Sequence, residues 1–329
     1  MTSWEQTPTY HGQPVIKEPV WTWEIPCYFF TGGMGGAAAG LAFLSGARGN
    51  DVLAKRAWAV AMTGVGMSPL LLTSDLGKPT RFINMFRMFK VTSPMSVGSW
   101  LLGASGALTS IAAANAWIGL FPRLARVARP GAALAGLPLS TYTAALIANT
   151  AVPVWHEAHK TLPFVFGSGA ALSAGAAAVA ITPTERARPA RRLALIAAAL
   201  EVLTKEAMER KLGEHADAYK HGAPSQYSRI AQAAIGTGAA LLYRRGGRSR
   251  AAAALSGALL CAGALSARWS VFKAGFRSAA EPKFTVGPQR ERIARGTAAG
   301  ASRRHAKTDQ PDPSRGTPAS AVRARTPTS

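Results

Sequence analysis

Cysteine is scarce in this chain: Cys27 and Cys261 are the two in 329 residues, far apart and each inside an apolar stretch. No CxxC spacing exists, so paired thiolates for zinc or for an iron–sulfur cluster are excluded, and two buried small hydrophobes are the simpler reading. Charge is scarce too. Asp, Glu, Lys and Arg together make up 16%, against roughly 25% in soluble domains. Histidine is missing from every long apolar stretch: His11, His156, His159, His215, His221 and His305 all fall between them. A b-type haem in a membrane subunit takes axial histidines from within helices, so no haem is expected. The first 23 residues lack the apolar core of a cleavable signal peptide, and insertion would rely on the first apolar segment itself.

Acidic residues are the rarer charge, 16 against 38 Lys and Arg, which leaves a formal net charge of +22. Such a balance suggests nucleic acid as a partner. Placement argues against it, because the basic residues sit in short runs (Arg123, Arg126 and Arg129; 186–192; 244–250) wedged between apolar blocks, as membrane-protein loops do.

A bilayer core about 30 Å thick needs about 20 apolar residues in helical form. Eight blocks meet that need, near 25–47, 55–74, 96–121, 130–152, 161–182, 191–208, 229–243 and 251–272, the seventh short and the sixth polar. The expected fold is therefore all-α, a polytopic membrane protein of about eight transmembrane helices. An N-terminal arm (1–24) precedes the bundle (25–277). A basic tail (278–329) follows, poor in core-forming residues and expected to be disordered.

Gly32, Gly36 and Gly40 recur every four residues, a stripe that lets a neighbouring helix backbone approach. The same stretch satisfies a degenerate GxGxxA dinucleotide fingerprint, but an unbroken apolar block follows it where a βαβ unit would be required. Between the second and third blocks, Phe82, Met85, Phe86 and Phe89 fall on one helical face and Arg81, Asn84 and Arg87 on another, which predicts an amphipathic helix in the membrane interface.

With eight spans, the long connections, both termini and every histidine fall at one end, and four short basic links at the other. An elaborated end of this kind is where a partner or a site is expected. The sixth block carries Glu201, Lys205 and Glu206. Ionised groups at mid-membrane cost about 2.5–3.5 kcal/mol each and usually mark a proton or substrate path, so Glu201 and Glu206 are candidates for one. Glu201 and Lys205 also have the i, i+4 spacing of an ordinary helical ion pair.

Four segments in order carry a resemblance. They are TYHGQPVIKEPVWTWEIPCYFFTGGMGG (9–36), SDLGKPTRFINMFRMFKVTSPMSVGSW (74–100), STYTAALIANTAVPVWHEAHKTLPFVFGSGAA (140–171) and RWSVFKAGFRSAAEPKFTVGPQRER (268–292). In these the chain resembles the NrfD/PsrC, or polysulfide reductase-like, family of membrane subunits. The resemblance implies a bacterial plasma-membrane protein that binds a quinone or quinol, menaquinone being the expected species. It implies electron exchange with a ferredoxin-like partner carrying four-iron–four-sulfur clusters, and a molybdopterin catalytic subunit beyond that. The same resemblance points to Tyr142 as the hydroxyl on the quinone, while the asparagine and histidine of the relatives' first helix have no clear counterpart around Trp23 and Cys27.

A quinone site needs an apolar slot and a few polar groups at the headgroup. Trp21, Trp23, Tyr28, Asp75, Arg81, Tyr142, His156 and Glu157 all fall near the elaborated end and form the expected site. The tryptophans and Tyr142 also suit an interfacial aromatic belt, and Asp75 with Arg81 also suits a structural brace. A transporter, or a membrane anchor without quinone chemistry, are the competing functions. The short links carry 14 Lys and Arg against Asp51 and Glu185. The positive-inside rule then makes that end cytoplasmic and puts both termini outside, with the 10 Lys and Arg from residue 278 onward pulling the other way.

Overall fold

In a computed structural model the chain is described over residues 15–75, 83–290, 293 and 296. Among the described residues eight long helices follow one another: α1 (Glu24–Ala47), α2 (Asp51–Asp75), α3 (Pro94–Ile118), α4 (Pro122–Ala148), α5 (Leu162–Ile181), α6 (Arg188–Leu212), α7 (Gly222–Arg245) and α8 (Arg250–Ala280). No strand occurs among the described residues, which removes the dinucleotide fold that the glycine pattern suggested. Six of the eight, all but α6 and α7, are long and apolar enough to cross a membrane. The expected eight blocks recur as eight long helices, and six of them meet the demands of a span.

Helix boundaries follow local chemistry. Proline at the first turn starts α3, α4, α5 and α6, where its missing N–H removes nothing from the helical ladder. Ser93 and Ser249 cap α3 and α8 by accepting from the N–H groups of Ser96 and Ala252. Gly119 ends α3 in the left-handed region at φ 74°. Pro122 starts α4 eight residues earlier than the apolar pattern predicts, so Arg123, Arg126 and Arg129 ride on helix, with Ala125 and Ala128 buried on its other face. The connection expected at 209–228 is mostly helical as well, through a 3₁₀ turn (Gly213–Ala216) and a short turn (Asp217–Lys220).

α1 is central, lying against α2, α4, α5 and α8. A Cβ on Gly64 would lie 2.6 Å from the Cα of Gly35, and one on Gly36 would lie 2.4 Å from the carbonyl oxygen of Gly136. Glycine is required at these α1–α2 and α1–α4 crossings because only a backbone without Cβ permits the approach. The expected stripe is thus partly displaced: Gly36 serves, but Gly40 meets nothing within 4 Å.

Contacts between the links confirm a two-ended molecule. At one end the Asn50 amide donates to the Arg186 carbonyl, and Arg250 donates to the carbonyls of Val179, Ala180 and Thr182. At the other, Trp21 stacks on Trp155, Thr22 donates to Asp75, and Lys283 reaches Asp217. The interfacial helix expected over 76–94 is only partly visible: Ile83 and Asn84 are helical, the chain turns at Met85 and Phe86, and residues 76–82 lie outside the described set. α8 continues past residue 278, and residues 283–290 are again helical with Phe284 buried; the rest of the tail is outside the described residues.

Candidate functional site

At the end carrying the arm, the start of α1, the end of α2, the start of α3 and the end of α4 converge on a narrow cleft of ≈ 60 Å³. Trp21, Tyr28, Asp75 and Tyr142 line it, together with Ile25, Leu72, Met85, Met95, Ser99 and Leu146. Four residues expected from sequence are therefore brought together: Trp21 and Tyr28 from the arm and the start of α1, Asp75 from the end of α2 and Tyr142 from α4. The Tyr28 and Tyr142 rings meet edge to face, with centroids 6.4 Å apart and planes at 66°, a favourable aromatic geometry. Asp75 accepts from the Thr22 hydroxyl at 3.3 Å.

Two features make the slot possible. A Cβ on Gly98 would fall 2.2 Å from Tyr142 Cε2, so only glycine lets that ring lie flat against α3. The Tyr28 side chain is buried and its hydroxyl has no hydrogen-bond partner among the described residues. Buried phenols ordinarily find one. Behind the cleft Trp21 stacks on the buried Trp155 (5.8 Å, 24°), whose Nε1 donates to the Val271 carbonyl at 2.8 Å. Neither Gly98 nor Trp155 was expected, although Trp155 stands beside His156 in the quoted segment.

The remaining expected residues lie elsewhere. Trp23 is exposed and does not line the cleft, and Arg81 is outside the described residues. His156 and Glu157 are exposed and line a separate ≈ 220 Å³ depression with His215 and Phe284. The cause is local: Pro153 opens a helical turn that buries Val154 and Trp155 and so turns the next two side chains outward.

The second polar centre lies inside the bundle. Glu201 of α6 is buried, and its Oε2 accepts from Ser168 at 2.6 Å, while Ser168 and Thr204 are 3.1 Å apart. Glu201 Oε1 has no hydrogen-bond partner among the described residues. Arg268 of α8, also buried, donates to the carbonyls of Val165 (3.3 Å) and Phe166 (2.7 Å) and lies over the Phe166 ring. Lys205 pairs not with Glu201 but with Glu209 at 3.0 Å and with Ser228, so the simple helical pair is replaced by contacts in two directions. Glu206 is exposed and pairs with Arg210 at 3.0 Å. Arg268 was missed, and its signal was a single arginine inside an otherwise apolar block.

Near the depression of His215 and Phe284, Lys283 donates to Asp217 at 2.5 Å and to Glu281 at 3.1 Å. The hydrogen bond from Lys283 holds the Asp217 carboxyl below its ordinary value. Burial pulls the Lys283 ammonium down, and the bonds to Asp217 and Glu281 more than offset it, so that it sits above the ordinary lysine value.

The sequence model of the polysulfide reductase family, NrfD_2, matches residues 7–284. The chain belongs to that family. The matched stretch runs from the arm through α8 to Phe284 and so contains both the cleft and the Glu201 centre. No curated protein sequence matches the chain. As a polysulfide reductase family protein it is a multi-pass membrane subunit of a redox complex, in a family that interacts with quinones and generally works beside iron–sulfur and molybdopterin subunits.

Proposed function

We propose that this chain binds a quinone or quinol in the cleft between Tyr28 and Tyr142 and exchanges electrons with an iron–sulfur partner of a respiratory oxidoreductase in the bacterial plasma membrane. Menaquinone is the species proposed, and a molybdopterin subunit the source or sink of electrons beyond the partner. The observation that carries this reading is the pairing of two tyrosines, one with a buried hydroxyl that has no partner among the described residues, in a slot otherwise walled by apolar side chains, Ser99 and one carboxylate.

The residues fit such a ligand. Ile25, Leu72, Met95 and Leu146 offer the apolar walls that a planar ring and an isoprenoid tail require. A bound quinone supplies two-electron, two-proton redox chemistry at its carbonyl oxygens. Around it, the Tyr28 and Tyr142 hydroxyls serve as donors to those oxygens, and Asp75, held by Thr22, serves as the nearby proton acceptor. Glu201, and Glu206 at the surface end of the same helix, are proposed as a route for protons along α6. His156, Glu157 and Trp23 then leave the headgroup site and join the surface offered to the partner subunit.

The test is titration of the purified complex with a menaquinone analogue, read by quenching of tryptophan fluorescence, alongside extraction and assay of co-purified quinone. Tyr142→Phe removes one hydrogen bond and is expected to weaken binding about three- to tenfold. Equal affinity in the variant would remove Tyr142 from the site, and a complex that holds no quinone at all would leave the chain a membrane anchor.

A further inference from the structure

A second cavity, ≈ 550 Å³, lies at the opposite, basic end, framed by α1 to α4. Its walls include Trp58, which is buried, and Trp117, with Lys55, Arg129, Asn115 and Asp51 around them. The frame is braced. Arg129 Nη2 donates to Asn115 Oδ1 at 2.7 Å, Asn115 Nδ2 donates to the Leu120 carbonyl at 2.9 Å, and Trp117 Nε1 donates to the Lys55 carbonyl at 3.0 Å. Arg56 covers the outer face of Trp117. The Lys55 ammonium, by contrast, makes no hydrogen bond or ion pair with the described protein, and Asp51, the carboxylate in the lining, forms no ion pair with Lys55 or Arg129. Arg129 spends one of its five N–H donors on Asn115, so both cations retain capacity for an outside acceptor.

Three properties identify the acceptor. Two cations with free donors call for an anionic oxygen cluster, and phosphate is the group whose geometry suits an arginine fork beside a lysine point charge. Indole walls at the level where apolar spans meet polar links match the glycerol and upper acyl region of a lipid, where tryptophan is enriched. Val52 at the start of α2 and Leu124 and Val127 at the start of α4, the two helix ends that carry Lys55 and Arg129, are exposed apolar side chains, and a soluble anion would gain nothing from them. Basic pockets between membrane helices are recognised seats for acidic lipid headgroups.

We propose that this cavity binds the phosphate headgroup of an anionic phospholipid, with Lys55 and Arg129 as its cations and Trp58 and Trp117 as the walls against its glycerol. The site is independent of the quinone cleft at the other end.

The full-length protein, purified in detergent, is mixed with phosphatidylglycerol, phosphatidylcholine or glycerol 3-phosphate, and retained lipid is counted by native mass spectrometry while thermal stability is followed in parallel. Wild type is expected to retain phosphatidylglycerol over phosphatidylcholine, each cation contributing roughly fivefold. Lys55→Gln with Arg129→Gln is expected to lose on the order of twentyfold in that preference, on the same per-cation basis. Arg123→Gln with Arg126→Gln, an equal charge change on α4 outside the cavity lining, is expected to keep it. A preference unchanged in the first double variant, or lost equally in both, would overturn the site and leave bulk charge as the cause. Stabilisation by glycerol 3-phosphate equal to that by the lipid would overturn the lipid as ligand. Should the double variant fail to fold, Lys55→Gln alone, at an exposed and unpartnered side chain, is expected to lose about fivefold, and no loss there counts against the proposal.

Discussion

Arg268 and Glu201 face each other over the backbone of Gly169: a Cβ there would lie 2.6 Å from Arg268 Nη2 and 3.0 Å from Glu201 Oε2. The two buried charges come from α8 and α6, and the missing side chain on α5 is what lets them share one space. Gly169→Ala should force one of them aside. Overpacking of this kind costs about 1–3 kcal/mol, so a lower melting temperature in detergent is expected, with the protein still inserting in the membrane. A melting temperature equal to wild type would show that the centre has slack that the distances do not suggest.

Gly98→Ala tests the cleft in the same manner. The added methyl would sit 2.2 Å from Cε2 and 2.9 Å from Cζ of Tyr142, against a ring that α3 holds in place. Rotation of Tyr142 away from Tyr28 should follow, and the affinity for a quinone analogue should fall at least as far as in Tyr142→Phe. Ala104, one turn and a half further along α3, makes a fair comparison site: it is exposed, and Ala104→Ser should leave affinity unchanged.

Much of the fold was legible because lipid imposes a length rule that few other environments do. α1, α2 and α5 fall within a few residues of their apolar blocks. The start of α4 was not, because arginines at 123, 126 and 129 read as a loop until Pro122 and the buried Ala125 and Ala128 show one helical face dry and the other wet. In the site, Trp21, Tyr28 and Asp75 were legible as polar or aromatic groups at the ends of apolar blocks, and Tyr142, in the middle of its block, only through the family resemblance. That His156 and Glu157 lie outside the cleft was not legible, because adjacency along the chain does not say which way a helical turn faces, and Pro153 turns that one outward. The partner of Glu201 was illegible for a related reason: i, i+4 spacing names Lys205, whereas the contacts that matter come from Ser168 on α5 and Arg268 on α8, and no single-helix pattern reports on three helices.

The Lys283–Asp217 bond fastens the segment after α8 to the short turn before α7, and its two groups set a pH window. Asp217 sits below its ordinary value, so its contribution is present above about pH 4 and is lost as pH falls through the lowered value. Lys283 sits above its ordinary value, so its contribution is present below about pH 10 and is lost as pH rises through the raised one. Protection of residues 283–290, exchange taken relative to the intrinsic rate at each pH, should therefore be flat between these limits and lower outside them. Because both side chains are partly exposed, Lys283→Met should cost only about 0.5–1 kcal/mol of local protection. Flat protection from pH 3 upward would mean that Phe284, buried against this end, holds the segment without the ion pair.

Glu201 divides a structural account of the buried centre from a functional one. One carboxylate oxygen is tied to Ser168, the other has no hydrogen-bond partner among the described residues, and Arg268 lies across Gly169 from it without forming a direct ion pair. Glu201→Gln keeps the shape and a hydrogen bond to Ser168 but cannot exchange a proton. If the group carries protons, the variant should assemble, bind quinone with wild-type affinity and turn over at least tenfold more slowly, the lower end of what a positioned acid–base group contributes. If the carboxylate serves only to neutralise Arg268, the amide should leave a buried charge uncompensated at a cost of about 3–5 kcal/mol, and stability should fall while turnover per assembled complex stays level. Arg268→Met combined with Glu201→Gln separates the two cleanly. In the structural account the second substitution restores the lost stability and turnover per assembled complex stays at the wild-type level throughout, whereas in the functional account turnover stays low in the double variant as in Glu201→Gln.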